Sequence, residues 1–99
     1  MKSGGFKLQN FETCNLPEPV ASAFDRLFGH LVGTHYKPVL YCATQQVNGV
    51  NHLIICEITK VTNPPVKSLQ TVLMNIPIND LKGEKATMVA FDPNVIVEE

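Results

Sequence analysis

The sequence predicts an α+β domain in which one N-terminal helix packs across a four-stranded antiparallel β-sheet. Three observations carry that expectation. Apolar residues recur at spacings of three and four early in the chain, which is helical periodicity. From about residue 35 onward the pattern becomes strand-like and stays so, broken by short turn signals. An Asn-Gly pair, Asn48-Gly49, separates the first two strand-like runs; both residues tolerate positive φ, so the pair marks a hairpin. With 99 residues and 44% hydrophobic content, the chain suits a single domain with one core.

In chain order, residues 1–14 carry little pattern and read as an extended arm. Asn15-Leu16-Pro17-Glu18-Pro19 supplies helix-start signals: a cap candidate, prolines suited to a first turn, and an acid near the positive end. Val20, Phe24, Leu27, Phe28 and Leu31 then form one stripe, with Ser22, Asp25, Arg26 and His30 mostly opposite. This predicts an amphipathic helix over about 16–32, weakened by Gly29 and stopped at Gly33. The first strand is expected over Tyr36–Thr44 and the second over Val50–Thr59, with Ile54, Cys56 and Ile58 on one face. Thr62-Asn63-Pro64-Pro65 ends the second strand, because consecutive prolines cannot sustain a ladder. Ser68–Ile76 and Ala86–Phe91 read as further strands around a polar turn at Asn79–Lys85, and Val95-Ile96-Val97 extends the sheet or docks as a tail. The sheet is thus expected over about 35–97. A single helix cannot bury its stripe alone, and a sheet with one apolar face is the matching surface.

Composition narrows the function. The formal net charge is −1 and the charges are scattered, so no basic patch invites nucleic acid. No apolar run approaches the roughly 18 residues that span a bilayer, so no membrane partner is expected. Met1-Lys2-Ser3-Gly4-Gly5 leads into no signal-peptide core, which points to a cytoplasmic protein or one supplied in mature form. Cys14, Cys42 and Cys56 cannot all pair within one chain; free thiols in a reducing compartment are expected, with a Cys42–Cys56 bridge as the alternative. Cys42 and Cys56 lie in apolar strand contexts and read as small hydrophobes.

An enzyme reading would join one of these thiols to His30, His35 or His52. His52 and Cys56 share a strand face but lie about 13 Å apart along it, and the other histidines flank the helix end. No Cys-x-x-Cys or His-x-x-x-His spacing suggests a metal. The expectation is a non-enzymatic protein without cofactor or metal.

Gln45-Gln46-Val47-Asn48-Gly49, at the predicted hairpin, has the spacing Gln-x-Val-x-Gly. This resembles the first hairpin loop of the cystatins, inhibitors of papain-like cysteine proteases. The chain is most similar to the stefins, the single-domain intracellular branch, in element order over most of its length. They too place a glycine near the N-terminus, where this chain has Gly4-Gly5 followed by Phe6. Asn51 and His52 after the loop match in part. The resemblance implies reversible, competitive inhibition by occlusion. Gly4 and Gly5 would let the arm pass the protease active site, with Met1, Lys2 and Ser3 in the non-primed subsites. Gln45, Gln46, Val47, Asn48 and Gly49 would form the blunt tip facing the catalytic cysteine and histidine. A second loop around Asn79–Lys85 would flank them. That loop is polar here, the chain has no Trp and so lacks the Pro-Trp pair of the secreted cystatins (a Trp the stefins also lack), and Asn48 stands where the family commonly has a small apolar residue. The implied partner is a papain-like cysteine protease. The implied state is a monomer that can open its hairpin into a domain-swapped dimer.

Two plainer readings stand beside this one. The hairpin can be an ordinary β-turn and Gly4-Gly5 an unstructured tail, leaving a non-inhibitory binding module on the same scaffold.

Overall fold

The computed structural model describes residues 8–90, with the side chain of Ala90 left aside. The elements are α1 (Glu18–Phe28), β1 (Thr34–Val47), β2 (Gly49–Lys60), β3 (Val66–Ile76) and β4 (Thr87–Ala90). The strands form one antiparallel sheet in the order β1-β2-β3-β4, and α1 packs on one face of it. Gly4, Gly5 and the expected tail strand Val95–Val97 lie outside the described residues.

The helix begins where the proline signals place it, but Asn15 is not its cap. Pro17 occupies the N-cap position and makes no side-chain cap bond; its carbonyl accepts from Ala21 N at 2.8 Å. Its end is a correction to the expected 16–32. The helix stops at Phe28, with Gly29 as C-cap and Gly29 N donating to Asp25 O at 2.7 Å. Leu31 therefore falls outside the helix and is 45% exposed, although its spacing placed it on the buried stripe. Gly33 does take the positive φ expected of a stop, at +83°, but it turns the chain into β1, and its carbonyl accepts from Val61 N at 2.9 Å.

Val20, Ala23, Phe24 and Phe28 of α1 meet Ile54, Cys56, Ile58, Val72, Met74 and Ile76 of the sheet in one buried cluster. Ile54, Cys56 and Ile58 share the helix face, as period-two alternation requires. The Phe28 ring stacks on Tyr36 with centroids 4.6 Å apart and leans on Phe24 at 4.8 Å; aromatic pairs at such separations add to plain burial. These contacts set the direction of the helix. Its C-terminal end lies over the start of β1, and its N-terminal end lies toward the β1–β2 turn.

Two register irregularities interrupt β1, between Pro38 and Leu40 and between Tyr41 and Ala43. The second explains another correction. Cys42 is exposed, not buried, because it sits at the irregularity where β1 departs from strict alternation. Cys14, Cys42 and Cys56 are all free.

On the opposite face, Leu53 and Glu57 are also buried. Glu57 pairs with Lys37 at 3.4 Å, and Lys37 Nζ also donates to Phe11 O at 2.6 Å. The arm is tied to β1 a second time by Cys14 N donating to Pro38 O at 2.9 Å.

Candidate functional site

The β1–β2 turn falls at the Asn-Gly pair but is tighter than the expected Gln45–Gly49 loop, because pairing runs on through Val47 and of the pair only Gly49 takes a positive φ. Gln46 pairs with Val50 and Val47 with Gly49, which leaves Asn48 alone at the apex. Gly49 has φ +97°, a conformation that L side chains rarely adopt. It also packs closely: a Cβ there would lie 2.7 Å from Ile76 O and 3.0 Å from Pro77 Cα. The glycine thus sets the turn and lets the tip seat against the exit of β3. Gln45, Gln46, Val47 and Asn48 are exposed, whereas Gly49 is buried.

A ladder of side-chain amides supports the tip across three strands. Asn51 Nδ2 donates to Gln45 Oε1 at 3.1 Å, and Asn75 Nδ2 donates to Asn51 Oδ1 at 2.9 Å. Asn75 Nδ2 also lies 3.5 Å from Asn48 O. The pairs Gln45↔Asn51 and Asn51↔Asn75 are in register, so alternation alone puts these amides on the face away from α1. Asn75 is a supporting residue that the sequence pattern missed, and Asn51, noted there only for its place after the loop, takes its supporting role from the register. Their signal, polar residues with strand-compatible side chains at matching register, is invisible until the register is known.

The β3–β4 connection lies at the same end of the sheet. It turns through Asn79, whose φ is +69°, and is internally braced. The Asp80 carboxylate accepts from Glu84 N at 2.9 Å and Lys85 N at 2.7 Å. Arg26 of α1 reaches over to donate through Nε to Gly83 O at 3.3 Å and through Nη2 to Ala86 O at 2.5 Å. The charged residues that make this segment polar in the sequence therefore shape it in part. Its outward apolar residues were also missed: Ile78 is 67% exposed and Leu81 84% exposed. With Val47, 50% exposed, they give this end of the molecule an apolar character on a braced backbone.

Behind the two turns a cavity of about 340 Å³ opens between the start of α1 and the sheet, with Tyr41, His52, Val50 and Leu81 among its walls. Tyr41 Oη and His52 Nδ1 are 2.8 Å apart, and the two rings stack at 5.9 Å. Burial lowers the His52 pKa and raises that of Tyr41, because both charged forms would lose solvation. Burial thus favours the neutral form of the ring, with the phenol as its hydrogen-bond partner.

Cys42 and Cys56 show the opposite of nucleophile activation. Burial pushes Cys56 up to about 12, with Cys14 and Cys42 nearby adding to the shift. Partial loss of solvation raises Cys42 as well, exposed though its side chain is in part, against a backbone hydrogen bond from Ile55 that lowers it. Among the described residues, no group of three His, Cys, Asp or Glu side chains could hold a metal ion. No described helix is long and apolar enough to cross a membrane.

The five hairpin residues singled out in the sequence stand together at one tip. The arm glycines lie outside the described residues. The described arm, from Phe11 to Cys14, contacts β1 at Lys37 and Pro38, about ten residues before Val47. Comparison with known proteins finds no family model, no curated protein and no solved structure that matches this chain.

Proposed function

We propose that the protein is a stefin-like, reversible, competitive inhibitor of papain-like cysteine proteases, and that it works in the cytoplasm. The observation that carries this reading is the construction of the tip. Gln45–Asn48 are exposed at one end of the sheet, the amide ladder and the Gly49 contact fix their backbone, and Ile78 and Leu81 flank them. A blunt projection of this kind fills a cleft without reacting in it. Because its shape is fixed beforehand, little conformational entropy is lost on docking. Occlusion of the cleft excludes substrate, so inhibition is competitive, and no bond to the protease forms, so it is reversible. Three free cysteines suit a reducing compartment.

The site of arm anchorage favours a second reading, a non-inhibitory binding module on the same scaffold. The described arm is held along the first half of β1 and not at the tip, whereas a three-part wedge would bring all of its parts to one edge.

Titration of papain activity with the purified monomer separates the two. Val47→Asp is the informative variant, because Val47 is half-exposed and its replacement leaves the Gly49 contact in place. Competitive inhibition that Val47→Asp abolishes while the variant stays folded supports the inhibitor reading. Full inhibition by Val47→Asp, or none by the folded native chain, overturns it.

A further inference from the structure

The residue at the apex carries a chemistry that neither reading uses. The chain has eight asparagines, and only Asn48 is followed by glycine. Asn48 is exposed, and among the described residues only its main-chain carbonyl has a hydrogen-bond partner, Asn75 Nδ2. Its carboxamide is therefore free to turn back toward the main chain. The Gly49 nitrogen bears no neighbouring Cβ that would shield it from the approach.

We propose that Asn48 is a site of spontaneous covalent modification by cyclisation onto Gly49, which converts the neutral tip to an anionic one. The Gly49 amide nitrogen attacks Asn48 Cγ, and a new C–N bond forms. The bond from Cγ to the carboxamide nitrogen breaks, and that nitrogen leaves as ammonia, carrying the proton from Gly49 N–H. The resulting five-membered imide takes up one water. Opening at one carbonyl gives Asp at position 48; opening at the other gives an isoaspartyl linkage, which lengthens the main chain by one carbon. Nothing is oxidised or reduced. Either product takes the formal net charge from −1 to −2.

The other asparagines among the described residues are disfavoured by their neighbours or their hydrogen bonds, and Asn94, outside those residues, precedes Val95 rather than glycine. Asn63 precedes Pro64, whose nitrogen has no proton to give up. The carboxamides of Asn51 and Asn75 are held in the amide ladder. Asn10, Asn15 and Asn79 are followed by Phe11, Leu16 and Asp80, whose side chains crowd the attacking nitrogen.

The position makes the modification consequential. Asn48 is the one residue of the turn outside the paired register, so an added main-chain carbon would change the apex without breaking a ladder pair. A new carboxylate would sit beside Val47. The effect on protease binding rests on the inhibitor reading; the modification itself does not.

The test is to age the full-length protein at mildly alkaline pH and body temperature, then map its peptides by mass spectrometry. Asn48→Gln is aged in parallel, because the longer glutamine side chain would have to close a less favourable six-membered ring. The expected result is a gain of about one mass unit on the Asn48 peptide, ahead of every other asparagine, split between Asp and isoaspartyl forms. Asn48→Gln should show no such gain at that position. Another asparagine converting first, or Asn48 unchanged after prolonged ageing of folded protein, overturns the proposal. Papain titration of each aged sample against its own fresh sample reads the consequence separately. If the fresh native protein does not inhibit, the inhibitor reading fails while the mass measurement still decides the chemistry.

Discussion

Replacing Gly49 with alanine tests whether the tip is held by geometry or only by sequence habit. Two costs combine. An L residue at φ +97° loses about 1–2 kcal/mol relative to glycine. The new Cβ would also lie 2.7 Å from Ile76 O and 3.0 Å from Pro77 Cα; both are backbone atoms that cannot swing aside, and overpacking of this kind costs about 1–3 kcal/mol. The total is about 2–4 kcal/mol after the smaller benefit of restricting the unfolded chain. Gly33→Ala is the control. Its φ is +83°, yet nothing lies within 4 Å of a Cβ there, so only the conformational cost of about 1–2 kcal/mol remains. With a urea m-value of about 1–1.5 kcal/mol/M for a chain of this size, Gly49→Ala should lower the unfolding midpoint by about 2 M and Gly33→Ala by about 1 M. Equal shifts would refute the contact between the tip and Ile76–Pro77. A Gly49→Ala midpoint within about 0.3 M of the native value would refute the whole account of the turn.

Further predictions follow from the buried groups and the braces. Cys56 has its pKa raised from 9.0 to about 12, so above pH 9 the unfolded chain releases a proton that the folded chain keeps. Stability should fall as pH rises from about 9 to 12, by about 1.4 kcal/mol per pH unit, and chemical denaturation of native protein against Cys56→Ala will show whether the slope depends on that thiol. His52 has the opposite sign: its folded pKa lies below the ordinary 6.5, so the unfolded chain binds a proton first and stability should drop as pH falls below 6.5. Proton NMR should find the His52 ring titrating below the ordinary histidine value, and a normal or raised value would remove the argument for a neutral ring beside Tyr41. Asn75→Ala deletes the centre of the amide ladder and should cost about 1 kcal/mol, with faster amide exchange at Val47–Gly49; unchanged exchange would mean that the ladder does not stiffen the tip. Arg26→Met keeps the apolar stem but removes both donors to Gly83 and Ala86. Hydrogen exchange should then rise across residues 77–86 and stay unchanged in the core of β2.

The parts of the fold that were legible depend on local rules. Alternation in β2 assigned Ile54, Cys56 and Ile58 to one face, and all three are buried against α1. Asn48-Gly49 located the turn because its backbone requirement is local. Leu31 misled because periodicity does not register where a helix stops; the chain leaves the helix at Gly29, before that residue's turn is reached. Cys42 misled for a similar reason, since an irregularity in β1 changes which way a residue faces without changing the composition around it. The site was less legible than the fold. Gln45–Gly49 announced itself as a motif, but the amide ladder exists only once three strands are in register. Ile78 and Leu81 were lost among the charges around them, and those charges prove to be partly internal: Asp80 binds the backbone of its own turn.

This division bears on how the tip can be altered. Over most of the sheet, a residue that faces α1 belongs to the core, and its replacement would unsettle the fold together with anything the protein binds. At the tip the two roles separate. Val47 and Asn48 face outward, carry no packing with the core cluster, and can change in charge or length while the turn keeps its register. Gly49 cannot, because one atom there meets the end of β3. A Gly49 variant that failed to inhibit a protease would therefore confound lost shape with lost contact, whereas Val47→Asp would not. The same separation leaves Asn48 open to chemical change, since a residue spared from packing is also spared from protection. If the tip is the binding surface, its apex residue is also the one that limits how long it stays intact.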